Sequence, residues 1–210
     1  MTRIIIVDDH PVVRQGLKQI LADEPDMIVT GEASNAQGLL EKVRKEKCDV
    51  VLLDITMPGR GGLDILKELR REQPKLSVLV LSIHPEDQFG PRVLKSGAAG
   101  YMTKESAPEE LVKAIRRVAA GGKYISPSLA EKLASDLAGD SAKAPHEKLS
   151  DREYQVMSLI ASGKTVNEIS ARLSLSKKTI STYRSRILEK MKIKTNAELI
   201  HYAIKNRLVD

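Results

Sequence analysis

The chain has a single cysteine, Cys48, in 210 residues. One thiol cannot form an intrachain disulfide or a cysteine-rich zinc site, and the expected home is a reducing cytoplasm. Long apolar runs are missing too. None approaches the roughly 18 residues of a membrane span. The N-terminus passes from Arg3 through Ile4-Ile5-Ile6-Val7 directly into acid, which is unlike a signal peptide. Neither G-x-G-x-x-G nor G-x-x-x-x-G-K-[ST] occurs, so a nucleotide-binding loop has no support. Internal repeats are absent as well.

What is present is an ordinary soluble balance, 41% hydrophobic and 30% charged, in a length that suits one large domain or two small ones. The net charge of +6 is unevenly placed. Residues 1–121 hold 18 basic and 18 acidic side chains, residues 122–148 four of each, and residues 149–210 twelve and six. A neutral body followed by a basic end suggests one part that handles small chemistry and one that meets a polyanion.

The first part alternates. Apolar runs at Ile4–Val7, Met27–Val29, Val50–Leu53 and Val78–Leu81, with a shorter one at Gly100-Tyr101-Met102, have the length of strands buried on both faces of a parallel sheet. Between them, Val13, Leu17, Ile20 and Leu21, then Leu39, Leu40 and Val43, then Leu63, Leu66 and Leu69, recur at helical spacing. Leu111, Ile115 and Val118 do the same after the fifth run. The pattern predicts an α/β doubly wound, five-stranded parallel sheet. Phe89-Gly90-Pro91 falls where the fourth helix belongs and predicts a broken, short or mobile element there.

Gly121-Gly122 stops the fifth helix, and Ser126-Pro127-Ser128 opens a short helix to about Leu137. Ala138 to Pro145 is small and polar and reads as flexible linker, so 122–148 is taken as a linker carrying a short helix. Residues 149–210 show no strand pattern. Ser150 and Glu153 have capping-box spacing, Gly163 ends the helix that follows, and Asn167–Leu173 gives a second helix. Ser176 caps a third, carrying Ile180, Ile187, Leu188 and Met191, and Asn196 to Lys205 gives a fourth. The second part is an all-α four-helix bundle.

Chemistry gathers at the strand ends. Asp8 and Asp9 follow the first strand, Asp54 closes the third, Ser82 ends the fourth and Lys104 follows the fifth. All five lie on the carboxyl edge, where open α/β sheets bind ligands. Clustered carboxylates resist joint ionisation, and Mg²⁺ resolves that while keeping waters for a phosphoryl group. A lone strand-end Asp is usually a cap or turn former. Five such groups converging from four strands form a nucleophile candidate, a metal cage and two phosphate ligands.

Val7-Asp8-Asp9-His10-Pro11, Asp54-Ile55-Thr56-Met57-Pro58-Gly59 with Gly62, Ser82, and Gly97 through Lys104 together resemble a response-regulator receiver domain over about residues 1–120. The resemblance implies a flavodoxin-like sheet of order 2-1-3-4-5 and a receiver bounded at 1–121. It implies that Asp54 accepts a phosphoryl group from a sensor histidine kinase. Asp9, Asp54 and the Thr56 carbonyl would bind Mg²⁺, with Asp8 assisting through water. Lys104 would hold the phosphoryl group, Ser82 would swing toward it, and Tyr101 would then rotate inward. Because the resting state must dominate without phosphate, phosphorylation has to bring ~3–5 kcal/mol of differential interaction. Thr56 and His84 stand where the family tunes acyl-phosphate hydrolysis, although an exposed loop histidine is more often a bystander.

In the basic part, Asn167–Leu173, the turn Ser174-Leu175-Ser176 and the helix opening at Lys177 follow the helix-turn-helix plan. Ile180, Ile187 and Met191 face inward. Lys178, Ser181, Thr182 and Ser185 then face outward with Lys177 and Arg186 at the margins, and Thr179 lies in the same turn. Leu149 to Val209 resembles the four-helix LuxR-type DNA-binding domain, through Leu149-Ser150-x-Arg152-Glu153, Glu168-Ile169-Ser170 and Leu173-x-Leu175-Ser176-x-x-Thr179-Ile180-Ser181. In that family the fourth helix also pairs two domains.

Both resemblances together imply a NarL/FixJ-type two-component response regulator. It would be a phosphorylation-controlled transcription factor, not an enzyme, that dimerises on phosphorylation and binds double-stranded DNA, with no membrane association. The receiver would rest against the bundle until phosphorylated. An α/β phosphotransfer enzyme of the haloacid-dehalogenase type is the other class. It fits less well, because the first strand ends Asp8-Asp9-His10 rather than Asp-x-Asp, no cap domain is present, and the basic bundle would go unexplained.

Overall fold

The computed structural model describes residues 1–59, 62–138, 144–206 and 208–209. Two compact units divide the chain, Met1–Ala134 and Ser135–Asp210.

In the first unit, strands β1 (Thr2–Val7), β2 (Met27–Ala33), β3 (Val50–Asp54), β4 (Ser77–Ser82) and β5 (Gly100–Thr103) form one parallel sheet of order β2-β1-β3-β4-β5. Helices α1 (Pro11–Ala22), α2 (Ala36–Lys45), α3 (Gly62–Glu72), α4 (Glu86–Lys95) and α5 (Pro108–Ala119) connect them. Every residue of β3 is buried, because helices cover both faces of the sheet and alternation is not required. Ile4, Ile6, Val50, Leu52, Leu79, Leu111, Ile115 and Val118 share one core cluster. Pro11 and Pro108 occupy first-turn positions of α1 and α5, where a missing N–H costs nothing.

Register carries the carboxyl ends to one place. Val7 pairs with Leu53, so Asp8 emerges beside Asp54. Asp54 pairs with Leu81 and Ser82 with Thr103, which brings Ser82 and Lys104 onto the same edge.

Helix α4 corrects the expectation of a break. It runs ten residues straight through Pro91. Pro91 offers no N–H to the preceding turn, but Phe89, Gly90, Pro91 and Val93 are all buried, and that packing outweighs the lost bond.

Beyond α5 the chain stays with the first unit. Tyr124 donates its N–H to Ala99 (2.9 Å) and bridges Gly100 at the free edge of β5. Helix α6 (Pro127–Ala138) follows. Of the expected linker, 139–143 lie outside the described residues, and Pro145–Lys148 forms a 3-10 turn. His146 anchors that turn, with Nδ1 2.8 Å from the Tyr202 hydroxyl.

The second unit holds α7 (Asp151–Ala161), α8 (Val166–Leu173), α9 (Lys177–Met191) and α10 (Asn196–Lys205). Ser150 and Glu153 make the expected capping box, Thr165 and Glu168 make a second, and Ser176 caps α9 through Thr179 N–H. Ser174 and Lys192 end α8 and α9 in the left-handed conformation. Val156, Ile169, Ile180, Ile187 and Leu199 are fully buried and close the bundle.

Candidate phosphoacceptor pocket and DNA-facing helix

The two central strand ends deliver Asp8 and Asp54 almost fully buried, each 2% exposed. Burying two carboxylates is costly without a counter-charge. Lys104 supplies it, with Nζ 2.6 Å from Asp8 Oδ2 and 2.7 Å from Asp54 Oδ2. Burial alone would lower the Lys104 pKa, but the hydrogen bonds and charges of Asp54 and Asp8 outweigh it and raise the value. The second Asp54 oxygen, Oδ1, accepts from Thr56 N–H at 2.7 Å and Thr56 Oγ1 at 2.5 Å.

Ligand atoms of Asp8, Asp9, His10 and Asp54 lie within 4.8 Å of one another. Asp9 Oδ1 is buried and makes no hydrogen bond, although His10 Nδ1 is 3.1 Å away. A buried anionic oxygen without a donor among hard oxygen ligands fits a divalent cation such as Mg²⁺. His10 is the member of this cluster that sequence reasoning quoted without giving it a role. Its backbone N–H and ring both reach Asp8 Oδ1, so a residue at the N-cap of α1 faces the carboxylates.

Ser82 is fully buried, and its Oγ accepts the His84 N–H at 3.1 Å. Tyr101 is fully buried as well, with its hydroxyl donating to the His84 carbonyl at 2.7 Å. Tyr101 thus holds in this structure the inward position that the resemblance assigns to it after the switch. The His84 ring is not in the pocket. It stacks on Phe89, centroids 4.4 Å apart at 14°.

On α9, Lys177, Lys178, Ser181, Thr182, Ser185 and Arg186 are exposed along one side, while Thr179 is half-buried and its hydroxyl meets Ser176 Oγ at 2.8 Å. Thr182 and Ser185 hydroxyls turn back to the Lys178 and Ser181 carbonyls. Arg184, which sequence reasoning passed over, holds the start of α10 through Asn196 at 2.7 Å.

The pattern of the response regulator receiver domain matches residues 4–116. The chain belongs to the response-regulator family. The pattern of the bacterial regulatory proteins of the luxR family matches residues 147–203. This response regulator is 43% identical to response regulator GacA of Pseudomonas aeruginosa over 211 residues, 100% of this chain and 99% of that protein. It is 40% identical to response regulator UvrY of Escherichia coli over 209 residues, 99% and 96% of the two chains. Among solved structures it is similar to the Salmonella typhimurium response regulator RcsB, with TM-score 0.74, 28% identity and 96% of both chains covered. RcsB from Salmonella enterica serovar Typhimurium, solved on the rprA promoter with the phosphomimetic BeF3⁻, gives TM-score 0.70 at 28% identity over 96% and 97% of the two chains.

The response regulator is thus of the two-component type with a LuxR-type DNA-binding domain, and its relatives are regulators rather than enzymes. The haloacid-dehalogenase alternative falls with that. No described helix is long and apolar enough to cross a membrane.

Proposed function

We propose that this response regulator accepts a phosphoryl group on Asp54 from the phosphohistidine of a sensor kinase and binds promoter DNA in response. The observation that carries this reading is the Asp54 carboxylate, buried yet held on one oxygen by Lys104 and on the other by Thr56. In the transfer an Asp54 oxygen attacks phosphorus, the P–N bond breaks, and its electron pair leaves with the imidazole, which takes a proton. Lys104 sits where it can exchange carboxylate contacts for phosphoryl oxygens. Asp8, Asp9, Asp54 and the Thr56 carbonyl would hold Mg²⁺, which offsets the charge on the transferring group. Ser82, one pairing position beyond Asp54, turns its hydroxyl to the phosphoryl group, and Tyr101 repacks beside it.

Lys177, Lys178 and Arg186 meet phosphates, while Thr179, Ser181, Thr182 and Ser185 lie toward the groove. Pairing through α10, where Ile204 is exposed, gives a homodimer for a two-fold site. RcsB, solved on a promoter with BeF3⁻, supports the coupling of phosphorylation to DNA. A cytoplasmic location fits this reading, because that is where promoter DNA lies.

The test is DNA binding by wild type and Asp54→Ala, each with Mg²⁺ and acetyl phosphate. Tighter binding by wild type alone is expected. Equal binding by both under all conditions would sink the proposal.

A further inference from the structure

Helix α6 meets α4 of the first unit through Leu129, with Ser128 Oγ 3.4 Å from Glu86 Oε2. Among residues 127–135 only Leu129 is buried, at 1% exposure. It lies over Gly90 of α4, where a Cβ on residue 90 would come within 2.8 Å of both Leu129 methyl carbons. Gly90 is therefore a notch fitted to Leu129. Polar contacts frame the notch: Ser126 Oγ donates to Glu86 Oε2 and accepts the Leu129 N–H at 3.1 Å.

The same helix α4 is tied to the pocket. Ser82 Oγ accepts the His84 N–H, and the His84 ring stacks on Phe89, the residue immediately before Gly90. If Ser82 turns its hydroxyl toward a phosphoryl oxygen, the His84 N–H loses its acceptor and the stack passes that displacement to α4. Close-packed contacts of this kind hold or release and do not stretch gradually.

We infer that the seating of Leu129 on Gly90 is a latch through which α4 reports the state of Asp54 to the chain leading into the second unit. Phosphoryl capture opens the latch and frees α6. The inference rests on the reading of Asp54 as phosphoacceptor, and it adds the element that carries the output, residues 126–134. The Phe89-Gly90-Pro91 sequence then has a use: it makes α4 both the stacking partner of His84 and the seat of Leu129.

The test is hydrogen exchange on the full chain with Mg²⁺, with and without BeF3⁻, read over residues 83–95 and 126–135. The expected result is faster exchange in both segments on adding BeF3⁻. Leu129→Ala exchanges fast at 126–135 without BeF3⁻, and binds a mixed-sequence DNA duplex roughly tenfold tighter than resting wild type. Its phosphorylation by acetyl phosphate stays at the wild-type rate. Ser126→Ala, which keeps the apolar contact, moves the same way by less. The latch is overturned if BeF3⁻ quickens 83–95 and leaves 126–135 unchanged, or if Leu129→Ala binds DNA no more tightly than resting wild type. If BeF3⁻ alters neither segment nor the amides beside Asp54, the phosphoacceptor reading fails and takes the latch with it.

Discussion

The Lys104 ammonium lies 2.7 Å from Asp54 Oδ2, two groups fifty residues apart in the chain that meet across the end of β4, the strand between theirs. The same nitrogen reaches Asp8 at 2.6 Å, so one internal cation is shared by two buried carboxylates and the pocket keeps an excess of negative charge. That arrangement makes the resting pocket stable and also ready. A phosphoryl group brings new oxygens for Lys104, and a divalent cation takes over the carboxylates it leaves.

Replacing Lys104 by Met leaves Asp8 and Asp54 buried without that counter-charge. Breaking one side of a buried ion pair costs about 3 kcal/mol. A lowered Tm is expected, together with a larger rise in Tm on adding Mg²⁺ than wild type shows. Thermal melts with and without Mg²⁺ check this, and a Mg²⁺ response equal to wild type would refute it.

Gly62 opens α3 against β3's exit. A Cβ there would collide with the Ile55 Cα and stand 2.7 Å from the Ile55 carbonyl oxygen, both backbone atoms that cannot step aside. Gly62→Ala is expected to cost about 3 kcal/mol in urea unfolding. It also slows phosphorylation of Asp54, because Ile55 lies between Asp54 and Thr56.

Glu153 is 3% exposed, and burial by itself would raise its pKa, but Lys190 at 2.7 Å and the Ser150 contacts bring the net value below the ordinary range. A depressed folded pKa means its stabilisation is present above the unfolded value, about 4.3, and is lost as pH falls through it toward the folded value. The second unit therefore weakens in acid, and Glu153→Gln flattens that part of the profile. Helical ellipticity of α7–α10 against pH reads the difference.

Lys178 is exposed on the outward side of α9. If it neutralises one phosphate, Lys178→Ala reduces the slope of log affinity against log salt by about 1. Ser185→Ala leaves that slope unchanged, since its hydroxyl returns to the Ser181 carbonyl at 3.2 Å. Salt titration of DNA binding separates the two.

Much is legible in the sequence alone. Continuous apolar runs such as Val50–Leu53 announce two-sided burial, and caps such as Ser150–Glu153 are local in sequence, so their reading needs no tertiary information. The carboxyl-edge placement of Asp8, Asp54, Ser82 and Lys104 follows from parallel topology. Less legible was α4. The local rule at Pro91 argues for a break, yet burial of Phe89 and Val93 overrides it.

The residues of this chain determined which segments are strands, where helices start and stop, and which charges collect at one sheet edge, because those depend on periodicity and near neighbours. The inward Tyr101, the His84–Phe89 stack and the seat of Leu129 on Gly90 were decided by the tertiary structure alone. Each joins groups whose meeting depends on strand register and on how a helix lies against its neighbours, and no spacing within a single segment encodes that.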